Sequence, residues 1–402
     1  MTSSDRSTPA VPVAEDFIPF AAPAIGDEEI RGVVEVLKSG WLTTGARARD
    51  FERRFAEYVG GGEAIAVNSA TAGLHLGLEA LGIGPGDRVL TTPFTFTATA
   101  EVIRYLGADP VFVDIEPRTL NIDPGRIEAE LRKGPPVKAI IPVHYGGQAC
   151  AMDEILALAR RHGGAVMSDA AHAFPASYKG RMVGALDDDI TVFSFYANKT
   201  ITTGEGGMIV TRDAARAARM RTMRMHGINR DVFERFRSRA PSWYYEVVAP
   251  GFKYNLTDIA AAIGLEQLKK AESLRAARER LARRYDTAFE GLPLRRPGIA
   301  RPADRHAWHL YVVQLELERL TIDRDAFIER LSERGIGTSV HYIPLHFHPY
   351  WRDRYGLRPE QFPVASGCYG RVVSLPLYPT LSDGAQDRVI AVVRETVRAH
   401  AR

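Results

Sequence analysis

Cysteine is nearly absent from this chain: Cys150 and Cys368 are the only two in 402 residues. Two thiols build no disulfide framework and show no metal-type spacing, so an apolar core must hold the fold, and a reducing setting is expected. Long apolar runs are missing too. No stretch approaches the ~18 consecutive apolar residues of a membrane span. The start, MTSSDRSTPAVPVAEDF, lacks the cationic and apolar blocks of a secretory leader, so a cytoplasmic location is expected. Neither sign of charge is in excess: 52 basic against 49 acidic residues give a formal net charge of +3. Without a basic block or a basic–aromatic repeat, neither nucleic acid nor a membrane is an expected partner.

What remains is an ordinary globular composition, 45% apolar and 25% charged. The length exceeds what one core usually fills, which predicts two domains. Residues 1–16, rich in Ser, Thr, Pro and Ala, read as a flexible tail. A large domain is expected over 17–270 and a smaller C-terminal one over 271–402.

Short apolar runs alternate with amphipathic stretches through the larger part. AIAVNSA, DRVLTTPF, DPVFVDI, VKAIIPVHY, GGAVMSDA and ITVFSFY read as buried strands, and TAGLHLGLEALG, ATAEVIRYLG and MDEILALARRHG as helices between them. This alternation predicts an α/β fold with a mostly parallel sheet covered on both faces. From residue 257, DIAAAIGLEQLKKAESLRAARERLARRYDTAFEGL reads as one long helix leading into a compact α+β unit.

In parallel α/β sheets, functional groups gather at the carboxyl ends of strands. Polar and aromatic residues collect there: NSATAG, TFTATA, VHYGGQA, SDAAHA and SFYANK. Lys199 lies between the apolar TVFSFYA and the glycine-rich TTGEGG, which fixes the backbone around one amine. A desolvated lysine is a nucleophile for carbonyls. Asp169 ends the strand thirty residues earlier. The two could form a plain ion pair, or could serve pyridoxal phosphate as Schiff-base lysine and ring-nitrogen partner.

Asn68, Ser69, Ala70 and Thr71 precede a helix expected from about Ala72. They read either as ordinary capping or as donors to a phosphate at the helix's positive end. Ser194 could add a hydroxyl. Phe96 is either a core residue or a face for a planar ring. His172 is either structural or a donor to a ring oxygen. The histidines His341, His346 and His348 in HYIPLHFHPYW lack the helical i, i+4 metal signature, so no metal is expected and the segment reads as a rim or packing element.

Nearly the whole chain then resembles the DegT/DnrJ/EryC1/StrS sugar aminotransferases. The segments that carry the likeness are GWLTTG, NSATAGLHLGLEALGIGPGD, TFTATAEVIRYLGADPVFVDI, SDAAHAFPASYKGRMVG, SFYANKTITTGEGGM, HGI and GFKYNLTDIAAAIGLEQL. The resemblance implies the fold-type-I architecture of pyridoxal phosphate transferases and a homodimer. It implies that Lys199 carries the cofactor and moves the proton, and that Asp169 pairs with the pyridine nitrogen. It further places His172 near the ring hydroxyl, Phe96 over the ring, and Ala70, Thr71 and Ser194 at the phosphate. Asn255, in GFKYNL, falls in the segment that reaches the phosphate of the partner subunit. Many relatives read G-x-N-x-R there, so Lys253 is the other candidate. Lysine at 199, where dehydratase relatives carry histidine, implies transamination. The implied reaction takes an amino group from glutamate to a nucleotide-linked keto sugar, foremost dTDP-4-keto-6-deoxyglucose. A C3-keto sugar, a keto-cyclitol, or a dehydratase or epimerase reaction are the alternatives.

Overall fold

A computed structural model describes residues 17–229 and 244–402. The tail expected over 1–16 lies outside them. The strands are β1 (Glu63–Val67), β2 (Arg88–Thr91), β3 (Asp109–Phe112), β4 (Ala139–Ile140), β5 (Ala165–Asp169), β6 (Ser177–Tyr178), β7 (Arg181–Met182), β8 (Ile190–Ser194), β9 (Gly207–Thr211), β10 (Leu294–Arg295), β11 (Tyr311–Leu315) and β12 (Val372–Leu375). Seven of them form one sheet in the order β1-β9-β8-β5-β4-β2-β3. Pairing is parallel from β3 through β2, β4 and β5 to β8. β9 runs antiparallel to both its neighbours, so it alone is reversed and the sheet is mostly parallel, as expected.

Both faces of this sheet are buried, and the strand period sorts the side chains between them. Ile65 and Val67 pack with Leu74, Leu76 and Leu78 of the helix Ala70–Ala80, while Ala64 and Ala66 face Phe51, Phe55 and Val59 of the helix Ala46–Val59. That second helix stops at Gly60, whose φ of 104° only glycine adopts freely.

A second core lies in the C-terminal part. The three strands β10-β11-β12 pair antiparallel, and Leu281, Tyr285 and Phe289 pack against Tyr311, Val313, Phe327, Val373 and Val389. Ile18 joins this core, exchanging backbone hydrogen bonds with Gly335 and Gly337 at 2.8 Å each.

One expectation is corrected. The long helix from residue 257 is two helices, Asp258–Lys269 and Ala271–Ala288, which meet at Lys270. The Lys270 ammonium is pulled sideways onto Glu28 and Glu29, 2.9 Å from each, which anchors the junction to the first helix, Asp27–Ser39.

β1 delivers the turn at 68–71 to the sheet's functional edge, and a buried ion pair holds it. Glu52 accepts from Ala66 N at 2.9 Å and pairs with Arg224, which also donates to Ala66 O at 2.7 Å. Removing the guanidinium leaves a buried carboxylate unpaired, so Arg224→Met should lower stability by about 3–5 kcal/mol, measured by chemical denaturation.

Candidate active site

Parallel β1, β2, β5 and β8 all end on one edge, and the residues that follow them surround a cavity of about 490 Å3. Ala70, Thr71, Phe96, Asp169, His172, Ser194 and Lys199 all line it, so the structure brings seven of the expected residues together. Asn255 does not line this cavity. Its side chain is buried and donates to Thr44 Oγ1 at 2.7 Å, while Lys253 is exposed.

The loop after β8 explains why Lys199 is fixed. Phe195 receives both Thr202 Oγ1 and Thr203 N at 3.0 Å on its carbonyl, which closes the β8–β9 connection on itself. Lys199 N donates to Tyr196 O at 2.9 Å inside that closed loop. The amine is half-buried, and desolvation brings its pKa down to about 8; Asp169 pulls upward and Arg278 pushes further down.

Asp169 ends β5 almost fully buried. Its carboxylate accepts Thr99 Oγ1 at 2.8 Å and Ala171 N at 3.1 Å. Burial raises its pKa above the usual carboxylate range, outweighing Thr99, Ala171 and the Lys199 charge. The simple ion pair that spacing permits is not formed. Lys199 Nζ instead meets His309 Nε2 at 3.4 Å, and the two charges face one cavity without contact.

The helix Ala70–Ala80 starts two residues earlier than expected, because Ser69 is the cap and accepts Ala72 N at 3.1 Å. The N–H groups of Ala70 and Thr71 therefore open the first turn, where intrahelical partners do not exist. Gly207 of β9 lets that turn approach, since a Cβ there would meet Ala70 N at 2.8 Å. Ser194 Oγ accepts from Tyr196 N at 3.3 Å and keeps its own proton to give. Two amides, a hydroxyl and a helix N-terminus suit a phosphate dianion.

His172 is held on both nitrogens. Nδ1 accepts Gly146 N at 3.3 Å, and Nε2 meets the Tyr342 hydroxyl at 2.7 Å. Burial, with positive charge from Lys199, keeps the ring neutral. Phe96 is 58% exposed at the cavity mouth, its ring centroid 6.0 Å from that of Tyr342, which leaves an aromatic face for a planar ligand. A buried acid, an amine outside any ion pair with it, an anion cradle and an open aromatic face together fit pyridoxal phosphate.

Reading the sequence missed three neighbours: Thr99 on Asp169, Tyr342 on His172, and His309 on Lys199. Thr99 sits inside the singled-out TFTATA, but the other two arrive from the C-terminal unit. The three histidines of HYIPLHFHPYW diverge. His341 bonds Ser374 and His346 bonds Ser366, each at 2.8 Å, while His348 lines a second cavity. That outer cavity, about 850 Å3, shares Thr95, Phe96 and Tyr342 with the first and is walled by Arg104, Tyr105, Tyr350 and Trp351.

Fold and site thus define a pyridoxal phosphate enzyme of fold type I. Residues 23–394 match the DegT/DnrJ/EryC1/StrS aminotransferase family, and the chain belongs to that family. It is 48% identical over 383 residues to the spore coat polysaccharide biosynthesis protein SpsC of Bacillus subtilis, covering 95% of this chain and 97% of that protein. Among solved structures, PseC of Helicobacter pylori, an aminotransferase involved in the biosynthesis of pseudoaminic acid, superposes with a TM-score of 0.87 at 31% identity, over 95% of this chain and all of that one (100%). Spr1654 of Streptococcus pneumoniae, in its PLP form, gives 0.87 at 32% identity over 95% and 99% of the two chains. The protein is a pyridoxal-phosphate-dependent sugar aminotransferase.

The desolvated amine carries a pH signature. In cofactor-free protein, labelling of Lys199 by a carbonyl reagent should rise through pH 8, well below the range of exposed lysines. Peptide-resolved mass spectrometry across pH 6–11 checks this; a midpoint near that of ordinary lysines would contradict the desolvation argument.

Proposed function

We propose that this aminotransferase moves the amino group of glutamate to a nucleotide-linked 4-keto-6-deoxy hexose, giving the 4-amino-4,6-dideoxy sugar. The observation that carries the reading is the pair of joined cavities. The inner one has the size and donors for the cofactor and a hexose; the outer one, whose Arg104 is already paired with Asp109 at 2.6 Å, offers the aromatic faces of Phe96, Tyr105 and Tyr350 to a nucleotide base. The spore coat polysaccharide and the pseudoaminic acid named for two of the similar proteins support a sugar acceptor.

Bound pyridoxal phosphate supplies a carbonyl for the amine and a ring that takes up electrons from the adjacent carbon. The chain's residues do the rest. Lys199 would hold the cofactor, and its freed amine would take the proton from the carbon bearing the amino group and deliver it, across the nitrogen, to the cofactor's carbonyl carbon. With a pKa of about 8, a usable fraction is neutral near physiological pH. Asp169, pushed up by burial, holds a proton at the pyridine nitrogen. Ala70, Thr71 and Ser194 hold the phosphate, Phe96 covers the ring, and His172, fixed by Tyr342, faces the ring hydroxyl.

Asn255 lies outside its own chain's cavity and beside the end of β1, pairing with Val67. This supports a homodimer in which it completes the partner's phosphate site. We place the division between the two units near residue 270, where the helix pair meets at Lys270, and the enzyme in the cytoplasm. Among the described residues no helix is long and apolar enough to cross a membrane.

Glutamate and dTDP-4-keto-6-deoxyglucose should yield a 4-amino product, detected by mass spectrometry and NMR, and Lys199→Ala should abolish it. Amination of a 3-keto isomer instead would reassign the ring position. For the shared site, Lys199→Ala and Asn255→Ala protomers should each be impaired alone. Mixed after mild unfolding and reassembly, they should regain activity through heterodimers with one intact site; no recovery would remove Asn255 from the partner's site.

A further inference from the structure

Resting on Lys199 as the reacting amine, we infer that His309 is its positioning residue, a neutral imidazole that holds Nζ in place and ties the amine to the C-terminal unit. Among the described residues, His309 Nε2, at 3.4 Å, is the one hydrogen-bond partner of Lys199 Nζ. The ring is 4% exposed, and its Nδ1 has no partner, so the amine is its sole polar contact. An ammonium can only donate, so Nε2 must accept and the ring proton sits on Nδ1.

The ring is placed from three directions. Its centroid lies 4.3 Å from that of His172. Behind it, the fully buried Arg278 donates to the carbonyls of Leu377, His309 and Trp308 at 2.7, 3.3 and 3.4 Å. From the sheet side, the turn at Gly146 and Gly147 receives Leu310 N at 3.1 Å and Ala307 N at 2.8 Å. The same Gly146 donates to His172, so one turn sets both histidines. Only glycine serves at 147: its φ is 116°, and a Cβ would meet Trp308 N at 2.9 Å and His309 N at 3.0 Å.

Besides His309, the charged and titratable groups facing the amine among the described residues are Asp169, Glu205, His172, His341, Tyr196, Tyr342 and Arg278. Burial and the neighbouring positive charges keep His309 itself neutral across the working range, so it holds the amine without competing for its proton. A group that fixes a reacting atom acts on kcat, where a misplacement of about 1 Å costs up to ~100-fold.

The test compares His309→Phe, which keeps the ring volume, with His309→Gln, which keeps an acceptor. In cofactor-free protein, the pH midpoint of Lys199 labelling should fall by about half to one pH unit in His309→Phe, because the charged amine loses its acceptor in a desolvated site. In holoenzyme the same variant should lose about 10–100-fold in kcat, with KM for the sugar nearly unchanged. His309→Gln should restore most of both. An unmoved midpoint in a folded His309→Phe protein, or a glutamine variant as impaired as phenylalanine, overturns the inference. Should His309→Phe fail to fold, His309→Leu, which also removes the acceptor, decides by the same reading: a lowered midpoint supports the role and an unmoved one overturns it. The labelling readout needs no turnover, so a wrong sugar acceptor would leave it intact.

Discussion

Keeping a carboxyl and an amine apart inside one cavity is the constraint on which the site depends. Opposite charges at contact distance in a low dielectric attract strongly, and an Asp169–Lys199 pair would tie up the nucleophile. The structure gives each group another partner. Thr99 and the Ala171 amide hold Asp169, and His309 holds Lys199. Both groups then pay for burial without being cancelled: the acid moves up and the amine down. For Lys199 the value of about 8 suits proton transfer near neutrality. The same separation leaves room between them for a flat, charged ligand.

The sheet produces this separation by its topology. Because β5 and β8 are parallel neighbours, Asp169 and Ser194 end on the same edge, and Lys199 follows five residues later on a closed loop. Reversed β9 contributes differently. It lies between β8 and β1, and its Gly207 admits the first turn of the helix that β1 feeds. The anion cradle and the lysine loop thus share one strand, and a larger residue at 207 would push them apart.

Much of this was legible in the sequence because it is local. Strand ends, the glycine-rich loop after Lys199 and the small residues before the Ala70–Ala80 helix are read within a few positions of each other. The family likeness then gave those residues roles. What stayed hidden comes from sequence-distant contacts. His309 reaches Lys199 across 110 positions and Tyr342 reaches His172 across 170, the latter from a segment that by itself read as a rim or packing element. The break at Lys270 was hidden for a related reason. Helix propensity runs through it without interruption, and the junction is marked by a tertiary anchor, Glu28 and Glu29, more than two hundred residues upstream.

This division has a consequence for specificity. The chemistry of the inner cavity rests on backbone positions fixed by the sheet, where a change of register would misplace several groups at once. The outer cavity is walled from two sources: Thr95 to Tyr105 at the edge of the large sheet, and Val340 to Trp351 from the C-terminal unit. Trp351 Nε1 donates to Thr97 Oγ1 at 3.2 Å and Leu345 N to Pro93 O at 2.8 Å between these two sources. Thr95 bonds Thr99 at 2.8 Å, and Thr99 holds Asp169, so that wall is tied to the chemistry, whereas the exposed Tyr105, Ile343 and Tyr350 bond neither Asp169 nor Lys199. On the proposed reading, exposed side chains such as Tyr105, Ile343 and Tyr350 can therefore vary around a constant amine-transfer site, and with them the nucleotide that the outer cavity accepts.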